Sequence, residues 1–299
     1  MSNITKTAKI TVCGRPNVGK SSLTNTLVGE KVAFVSNKAQ TTRNRIYGVV
    51  NHGDTQYVLL DTPGLHKPRS RLGDYMVKVV RESLADVEAA MLLVEPIAHV
   101  GAPELALIQR IKEEGIPAIL CINKIDTVER GELLPVIAAY NEAWDGFDAI
   151  IPNSAHSGDG LEELMTELRK YAVEGPQLFP DGMTSDQPER QVIGELLREK
   201  MLLCLDKEIP HGVAIEIERF TERDSGVIDV EAIIFCEKAS HKGIIIGTQG
   251  AMLKKISTMA RHDMEKFMGT KVYLETWVKV KENWRDNVNF VRSFGYNEE

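Results

Sequence analysis

Residues 14–21 read G-R-P-N-V-G-K-S, which matches the phosphate-loop pattern G-x-x-x-x-G-K-[ST]. The two glycines let the backbone turn successive N–H groups inward, so that they surround anionic oxygens. A helix after the loop points its positive dipole end at the same place. Lys20 adds a positive charge between the β- and γ-phosphates, and the hydroxyl of Ser21 can bind Mg²⁺. The stretch therefore predicts a site for a nucleoside triphosphate.

The segments around this loop predict the sheet that carries it. An apolar run at 9–13 precedes the loop, and a helix-like segment at 22–27 follows it. Further apolar runs lie at 56–60, 89–94, 118–122 and 148–152, and helix-like stretches lie at 104–114 and 161–171. This alternation is typical of an α/β domain with a mostly parallel sheet covered by helices on both faces. Ligands of such sheets bind beyond the carboxyl ends of the strands.

Length and composition set the broad class. A chain of 299 residues exceeds what one core usually holds, so we expect two domains. Its 43% hydrophobic and 26% charged residues describe an ordinary globular protein. The net charge of −7 argues against broad, charge-driven binding of nucleic acid, but it leaves room for a local basic face.

Cysteines and apolar runs indicate the compartment. The four cysteines are dispersed and sit in apolar runs, which favours a reduced, cytoplasmic protein. The seven histidines show no zinc-binding pattern. Residues 1–9 have no apolar stretch typical of a signal peptide, and the runs at 89–94 and 116–122 are too short to span a membrane. We expect a soluble protein.

The tetrapeptide D-T-P-G at 61–64 follows the apolar run that ends at Leu60. Asp61 at that place can hold Mg²⁺ through a water molecule, and the N–H of Gly64 can reach a γ-phosphate. In isolation D-T-P-G is more often an ordinary turn. Its position at a strand end, 40 residues after Ser21 (61 − 21), favours the acidic partner of the phosphate loop.

The tetrapeptide N-K-I-D at 123–126 follows the run that ends at Ile122, 62 residues beyond Asp61 (123 − 61). The carboxylate of Asp126 can accept hydrogen bonds from guanine N1–H and N2–H₂, and adenine offers no such pair of donors. A site built around those bonds rejects the wrong base strongly. The dipeptide Ser154-Ala155, after a later strand, is consistent with a loop that encloses the base.

A threonine that covers the triphosphate and completes the metal shell is expected between the phosphate loop and Asp61. The segment Q-T-T-R at 40–43 lies in this interval. We favour Thr42 over Thr41 for this role. A solvated polar loop is compatible with the same residues, because a switch segment must be able to become disordered.

The motifs G-R-P-N-V-G-K-S, K-A-Q-T-T-R, D-T-P-G-L-H and N-K-I-D together resemble the Era family of bacterial GTPases. The likeness continues through 179–181, 216–220 and 277–281, and so covers nearly the whole chain. It implies a GTPase that works in assembly of the 30S ribosomal subunit. The resemblance implies GTP and GDP, the 3′ end of 16S rRNA and the 30S subunit as partners. It also implies a monomer with some peripheral association at the inner face of the cell membrane.

One position departs from many regulatory GTPases, which place a water-orienting glutamine after the D-x-x-G glycine. Leu65 occupies it here and cannot hydrogen-bond water. The resemblance is therefore to GTPases with a hydrophobic replacement. In some relatives an asparagine at the position of Asn17 helps to bind K⁺ beside the phosphates, which makes K⁺ a second expected ion beside Mg²⁺.

These considerations give the candidate residues of the first domain. The GTP-binding candidates are Gly14, Arg15, Pro16, Asn17, Val18, Gly19, Lys20, Ser21, Asp61, Thr62, Pro63, Gly64, Leu65, Asn123, Lys124, Ile125, Asp126, Ser154 and Ala155. The metal candidates are Ser21, Thr42 and Asp61. The catalytic candidates are Asn17, Lys20, Thr42 and Gly64.

Glycines and prolines between 172 and 190 interrupt the periodic pattern and indicate a linker. We predict a P-loop GTPase domain over 1–174, a linker over 175–190 and a smaller α+β domain over 191–299. In the last domain the pattern predicts helix, strand, strand, helix, helix and strand, followed by a terminal helix over 283–296.

The tetrapeptide G-T-Q-G at 247–250 lies between the two consecutive helices. A lone G-x-x-G is more often a turn, but after a β-hairpin it matches the type II KH fold, whose loop clamps about four nucleotides of single-stranded RNA. The spacer between the glycines lacks the usual basic residue. The RNA-binding candidates are Gly247, Thr248, Gln249, Gly250, Lys254 and Lys255.

Residues 238–281 carry nine Lys/Arg against three Asp/Glu, a local charge of +6. This supports RNA binding, although a solvated helix face explains any single lysine as well. A docking module for acidic lipid or protein is the alternative function for this domain. An ATP-dependent kinase on the same phosphate loop is disfavoured by the guanine-reading element at 123–126.

Overall fold

A computed structural model describes residues 4–36, 38, 41–65, 68 and 70–296. Ala39, Gln40 and His66 of the motifs lie outside the described residues. The chain forms two compact units, and the main division falls between Asp186 and Gln187, inside the stretch 175–190 predicted as the linker.

The first unit contains one sheet of seven strands. These are β1 (Lys6–Gly14), β2 (Ile46–His52), β3 (Thr55–Asp61), β4 (Ala89–Val94), β5 (Ala118–Ile122), β6 (Ala149–Pro152) and β7 (Val173–Glu174). The order β2-β3-β1-β4-β5-β6 is parallel from β3 to β6, whereas β2 is antiparallel to β3 and β7 to β1. The prediction of a mostly parallel α/β sheet is confirmed.

Helices cover both faces of this sheet. They are α1 (Lys20–Val28), α2 (Arg71–Glu82), α3 (Ala102–Glu114), α4 (Leu133–Ala143) and α5 (Leu161–Leu168). Alternate residues of β4 enter different cores, since Met91 packs with Leu164 of α5 on one side and Leu92 packs with Ile108 of α3 on the other. This two-sided burial explains why the central strands read as continuous apolar runs.

Strand β2 and the segment that follows β7 are features that the periodicity did not predict. Residues 175–186 run along β2 and β3 instead of leaving the first unit. The side chain of Gln56 donates to Phe179 O at 3.0 Å and accepts from Leu178 N and Phe179 N at 2.9 and 2.8 Å. Val49 N donates to Thr184 O at 2.9 Å. A composition rich in Gly and Pro therefore hides a segment with a defined path.

The second unit contains α6 (Glu189–Cys204), β8 (Ala214–Glu222), β9 (Ile228–Cys236), α7 (Ala239–Ile246), α8 (Ala251–Met268), β10 (Val272–Val280) and α9 (Val288–Ser293). Its sheet has the order β10-β9-β8, with β9 parallel to β10 and antiparallel to β8. The predicted sequence of helices and strands, and with it the smaller α+β domain, is confirmed.

The terminal helix is shorter than the predicted 283–296. A 3₁₀ turn at Trp284–Asp286 comes first, after Asn283 in the left-handed region (φ 51°), and α9 begins only at Val288. The side chain of Asn287 caps α9 by accepting from Asn289 N at 3.0 Å. The indole of Trp284 is fully buried and donates to Gly212 O at 2.9 Å, which fixes the turn against the domain.

Candidate functional site

The phosphate loop joins the end of β1 to the start of α1, as the sequence predicts. Gly19 has φ 100°, and a Cβ there would overlap the amide of Asn123, so that only glycine fits. Asn17 also lies in the left-handed region, with φ 67°. These dihedrals fold the backbone into a tight turn at the carboxyl edge of the sheet.

Lys20 lies inside the loop. It is 6% exposed, and its Nζ donates to Gly14 O at 3.2 Å and to Arg15 O at 2.7 Å. Burial lowers the pKa of the Lys20 ammonium to about 8, although the nearby Asp61 carboxylate opposes this shift. Among the described residues its acceptors are neutral carbonyls, so the side chain is a buried positive charge that an anion at the loop would neutralise.

Ser21, Thr42 and Asp61 form one cluster beside Lys20. Ser21 Oγ donates to Asp61 Oδ2 at 2.6 Å and lies 3.0 Å from Thr42 Oγ1. Thr42 Oγ1 is 3.4 Å from the same carboxylate oxygen. Thr41 Oγ1 instead donates to Lys38 O at 2.8 Å, so the geometry favours Thr42 over Thr41.

The carboxylate of Asp61 is fully buried, and its Oδ1 has no hydrogen-bond partner among the described residues. Burial raises its pKa to about 6, against the opposing effects of the Ser21 hydrogen bond and the Lys20 charge. Two hydroxyls and a buried carboxylate oxygen are the hard oxygen ligands that Mg²⁺ prefers. The donor set fits that ion.

The segment 61–65 packs directly on the phosphate loop. Leu65 N donates to Gly14 O at 3.1 Å, and Thr62 Oγ1 donates to Val12 O at 2.8 Å. A Cβ on Gly64 would lie 2.5 Å from Pro16 N, so a side chain there would push the two segments apart. Because Gly64 has no side chain, the backbone of this segment can pack closely against the phosphate loop.

Asn123 ties three loops together. Its Nδ2 donates to Val18 O at 2.8 Å, and its Oδ1 accepts from Ala155 N at 3.0 Å. Asp126 is exposed, and its Oδ1 accepts from Ser154 Oγ at 2.6 Å. The amide of Asn123 is thus used for structure.

Two acidic residues that the sequence motifs did not indicate brace this edge. Lys124 Nζ donates to Asn17 O and to Glu95 Oε1, each at 2.7 Å. Arg15 pairs with Glu104, which is fully buried in α3. The position of Glu95 directly after β4 could have indicated it as a site residue. The local sequence around Glu104 gives no such indication.

A cavity of about 280 Å³ lies over the loop. It is lined by Pro16, Asn17, Gly19, Lys20, Ser21, Ser22, Phe34, Val35, Ser36, Thr41, Thr42, Thr62, Gly64 and Lys124. Phe34, Val35 and Ser36 were missed, because they belong to no motif and reach the cavity only through the fold. The structure thus brings the phosphate-loop, threonine and D-T-P-G candidates together around one space.

The G-T-Q-G candidates link α7 to α8 in the second unit. Gly247 and Gly250 have φ 72° and 80°, and Gln249 has φ 52°. A Cβ on Gly247 would lie 2.7 Å from Met252 Cβ, so this turn requires glycine. Lys254 and Lys255 are exposed on the first turns of α8, which has no acidic residue in its first turn.

Among the described residues no helix is long and apolar enough to cross a membrane.

Comparison with protein families gives two matches. A model described as a 50S ribosome-binding GTPase matches residues 9–124, and a KH-domain model matches residues 208–285. The second match places the G-T-Q-G loop inside a KH domain, and the three-stranded sheet with two consecutive helices agrees with it.

Relatives match over almost the full length. The chain is 48% identical to the GTPase Era of Ruminiclostridium cellulolyticum over 97% of each chain, and 46% identical to that of Clostridioides difficile over 98% of this chain and 99% of the other. Two solved structures cover 98% of this chain and 100% of theirs, each 36% identical: Era with MgGDPNP and nucleotides 1506–1542 of 16S ribosomal RNA (TM-score 0.95), and a single-residue variant of Aquifex aeolicus Era with GDP·AlF4⁻ (TM-score 0.94). Because the chain matches these relatives over almost its full length at 36–48% identity, it belongs to the Era family of GTPases.

Proposed function

We propose that this GTPase is a nucleotide-controlled RNA-binding switch that engages the single-stranded 3′ end of 16S rRNA and assists assembly of the 30S subunit. The observation that carries the proposal is the presence in one chain of the Ser21–Thr42–Asp61 cluster and the G-T-Q-G turn of a KH domain. The relative solved with 16S rRNA nucleotides supports it. A cytoplasmic monomer with peripheral association at the membrane completes the proposal, from family resemblance alone.

The residues divide the work on GTP. Loop N–H groups and Lys20 hold the phosphate oxygens, and the N–H of Gly64 approaches the γ-phosphate as charge develops on it. Ser21, Thr42 and, through water, Asp61 would hold Mg²⁺, which supplies charge neutralisation when bound. Asp126, oriented by Ser154, selects guanine. The proposal assigns the nucleotide-binding, metal and catalytic candidates of the sequence to this site.

The switch requires that nucleotide and RNA binding influence each other. Thr42 and Gly64 contact the γ-phosphate region in this proposal, and loops of this kind order when that phosphate is present. Any change of RNA affinity with nucleotide must be matched by an equal change of nucleotide affinity with RNA.

Single-stranded RNA of the 16S 3′-end sequence is expected to bind the full chain about 5- to 150-fold differently with GDP and with a non-hydrolysable GTP analogue. A scrambled RNA is the control for sequence preference, which lipid docking would not show. Replacing Lys254 and Lys255 by glutamine should weaken RNA binding in both nucleotide states and lower its salt dependence. Equal affinity in the two states removes the switch, and equal affinity for the scrambled RNA removes the proposed target.

K⁺ is expected to accelerate GTP hydrolysis relative to Na⁺. Leu65 cannot orient the attacking water, and Asn17, held in the left-handed region at the cavity wall, offers a side-chain oxygen beside the phosphates. Single-turnover rates in matched K⁺ and Na⁺ salts measure the effect. The Asn17→Ala variant should lose the K⁺ advantage but keep the Na⁺ rate. The same rate in both salts for the unchanged chain contradicts the role of K⁺.

Acid is expected to weaken Mg²⁺-dependent nucleotide binding. Because burial raises the pKa of Asp61 to about 6, the carboxyl takes up a proton below that pH, and the proton competes with Mg²⁺. Affinity for a Mg²⁺–GTP analogue should fall by up to about tenfold per pH unit below 6. Titration calorimetry from pH 7.5 to 5 measures it, and Asp61→Asn should give a weaker, flat profile. A flat profile in the unchanged chain would show that Asp61 does not meet the metal.

A further inference from the structure

The three-stranded sheet of the second unit has one face against the helices and one face away from them. Ser257 Oγ on α8 and Thr276 Oγ1 on β10 lie 3.0 Å apart, which places Thr276 on the helix side. Side chains alternate along a strand, so Tyr273 and Trp277 project from the opposite side. We name this side of β8, β9 and β10 the outer face.

The C-terminal segment covers one end of the outer face. Lys281 Nζ lies 5.0 Å from the ring centroid of Phe235, 4.0 Å from that of Phe290 and 5.0 Å from that of Phe294. Phe235 is consequently only 8% exposed. Trp277 remains 60% exposed in the middle of the face, and Tyr273 remains 50% exposed at the other end, where the guanidinium of Arg223 lies over its ring. Exposed aromatic rings on a rigid sheet are typical of contact surfaces.

Carboxylates surround these rings. The acidic residues of the outer face and its β8 bulge are Glu216, Glu218, Asp229, Glu231 and Glu275, and the basic residues are Arg219, Arg223, Lys279 and Lys281. Three of the four basic side chains are paired with a carboxylate, Arg219 with Glu231 at 3.3 Å, Arg223 with Asp229 at 2.5 Å and Lys279 with Glu218 at 3.9 Å. Lys281 instead lies over the phenylalanine rings described above. Glu216 and Glu275 form no ion pair among the described residues.

These two carboxylates lie on the same face of the sheet as Trp277. Ile233 lies opposite Trp277 in the strand register, and Glu216 lies opposite Ile233 on the next strand, so Glu216 and Trp277 share one row. Glu275 precedes Trp277 by two residues on the same face and accepts from Tyr273 Oη at 2.8 Å. Lys279 follows Trp277 by two residues on the same face, but it pairs with Glu218. The exposed indole, with Glu275 beside it and Glu216 two strands away in its row, fits a cation that can both stack and pair.

The same face shows this mode of binding within the chain. The guanidinium of Arg223 lies 5.2 Å from the ring centroid of Tyr273 while it pairs with Asp229. The ring and carboxylates around Trp277 repeat the combination of an aromatic surface and an acidic partner. Phosphate groups would meet negative charge here, in contrast to residues 238–281 as a whole, whose net charge is +6.

We infer that the outer face docks an arginine- and lysine-rich segment of a protein partner, with Trp277 as the anchor that a guanidinium stacks on. The inference goes beyond the proposed function and does not depend on it, because the surface lies on the side of the sheet opposite to the G-T-Q-G helices. Docking at the outer face depends on positive charge of the partner, whereas the RNA-binding candidates supply positive charge from this chain.

The test uses the full chain and a fluorescent twelve-residue peptide of alternating arginine and glycine, with an alternating glutamate and glycine peptide as the charge control. Trp277→Ala is expected to lower affinity for the basic peptide by at least about fivefold. Glu216→Gln combined with Glu275→Gln should lower it by a similar factor. Phe267→Ala removes an aromatic ring that is 46% exposed on α8, and this matched control should leave peptide binding unchanged.

Binding of the 16S 3′-end RNA is measured on the same variants. We expect Trp277→Ala to keep RNA affinity and melting temperature. If the basic peptide fails to bind, or binds Trp277→Ala as well as the unchanged chain, the inference is wrong. If Trp277→Ala loses RNA affinity instead, the outer face belongs to a nucleic-acid site and the inference is also wrong. Failure of the unchanged chain to bind RNA would contradict the proposed function alone, since the peptide arm is independent.

Discussion

Replacing Asp126 by asparagine is expected to lower affinity for GTP by about 10²- to 10⁴-fold. The carboxylate accepts two hydrogen bonds from the guanine edge in the proposed site, and hydrogen bonds to a charged group contribute about 1.5–3 kcal/mol each. An amide presents an N–H₂ group to one of the guanine donors, so one bond is replaced by a clash of two donors. Asp126 is exposed in the structure, so we expect little effect of this substitution on folding.

Xanthine provides the positive side of the same test. It carries a carbonyl where guanine carries N2–H₂, and this carbonyl can accept from the asparagine amide while N1–H donates to the amide oxygen. We therefore expect Asp126→Asn to bind xanthosine triphosphate more tightly than GTP.

Competition binding with a fluorescent guanine nucleotide measures both nucleotides. Asp145→Asn makes the same chemical change at another exposed acid of the first unit and should have no effect. Unchanged GTP affinity in Asp126→Asn would show that the base lies elsewhere.

The candidates of the nucleotide site can be proposed from the sequence alone, because their chemistry is carried by short contiguous stretches. Residues 14–21 form the turn from their own glycines, and D-T-P-G and N-K-I-D follow strands whose ends meet at one edge. Even the preference for Thr42 over Thr41 agrees with the geometry, since only Thr42 reaches Ser21 and Asp61 among the contacts described.

What the sequence does not show depends on distant pairs. Glu104 meets Arg15 across 89 positions (104 − 15), and its burial gives no local pattern. Gln56 holds the backbone of residues 178–179, whose composition suggested only a linker. Polar residues that act on backbone far along the chain leave no periodic signal, because periodicity records which face is buried and not which atoms pair.

The outer face of the second unit is the surface whose arrangement the sequence pattern predicts least. Alternation along β10 predicts a half-buried strand. The structure agrees, since Val272 and Val278 are buried and Tyr273 and Trp277 are exposed. That Glu216 shares a row with the exposed ring of Trp277 follows only from strand register. Register is set by the whole sheet rather than by one strand.

Replacing Lys20 by methionine is expected to abolish hydrolysis and to lower GTP affinity by about 10²- to 10⁴-fold, because two charge-assisted bonds to phosphate oxygens are lost. The same change should stabilise the nucleotide-free chain. Burial lowers the Lys20 pKa from 10.5 to about 8, so the folded state carries a penalty for the charge at every pH below about 8. The penalty fades as pH rises from 8 to 10.5. After allowance for the lost bonds to Gly14 O and Arg15 O, we expect a gain of about 1–3 kcal/mol at pH 7.

The pH dependence separates the charge of Lys20 from its shape. In the unchanged chain, GTP should favour the protonated ammonium, so binding takes up a proton above pH 8 and affinity falls by up to about tenfold per unit there. Lys20→Met should show no such slope. Calorimetry in buffers of different ionisation enthalpy measures the proton uptake, and thermal melting measures the stability. Lys112→Met, an exposed lysine of the same unit, is the matched control and should change neither. If Lys20→Met melts at a lower temperature and its GTP affinity keeps the same pH slope, Lys20 acts as a structural spacer in the loop. A buried charge kept for phosphate binding should instead destabilise the nucleotide-free chain, so that its removal raises the melting temperature.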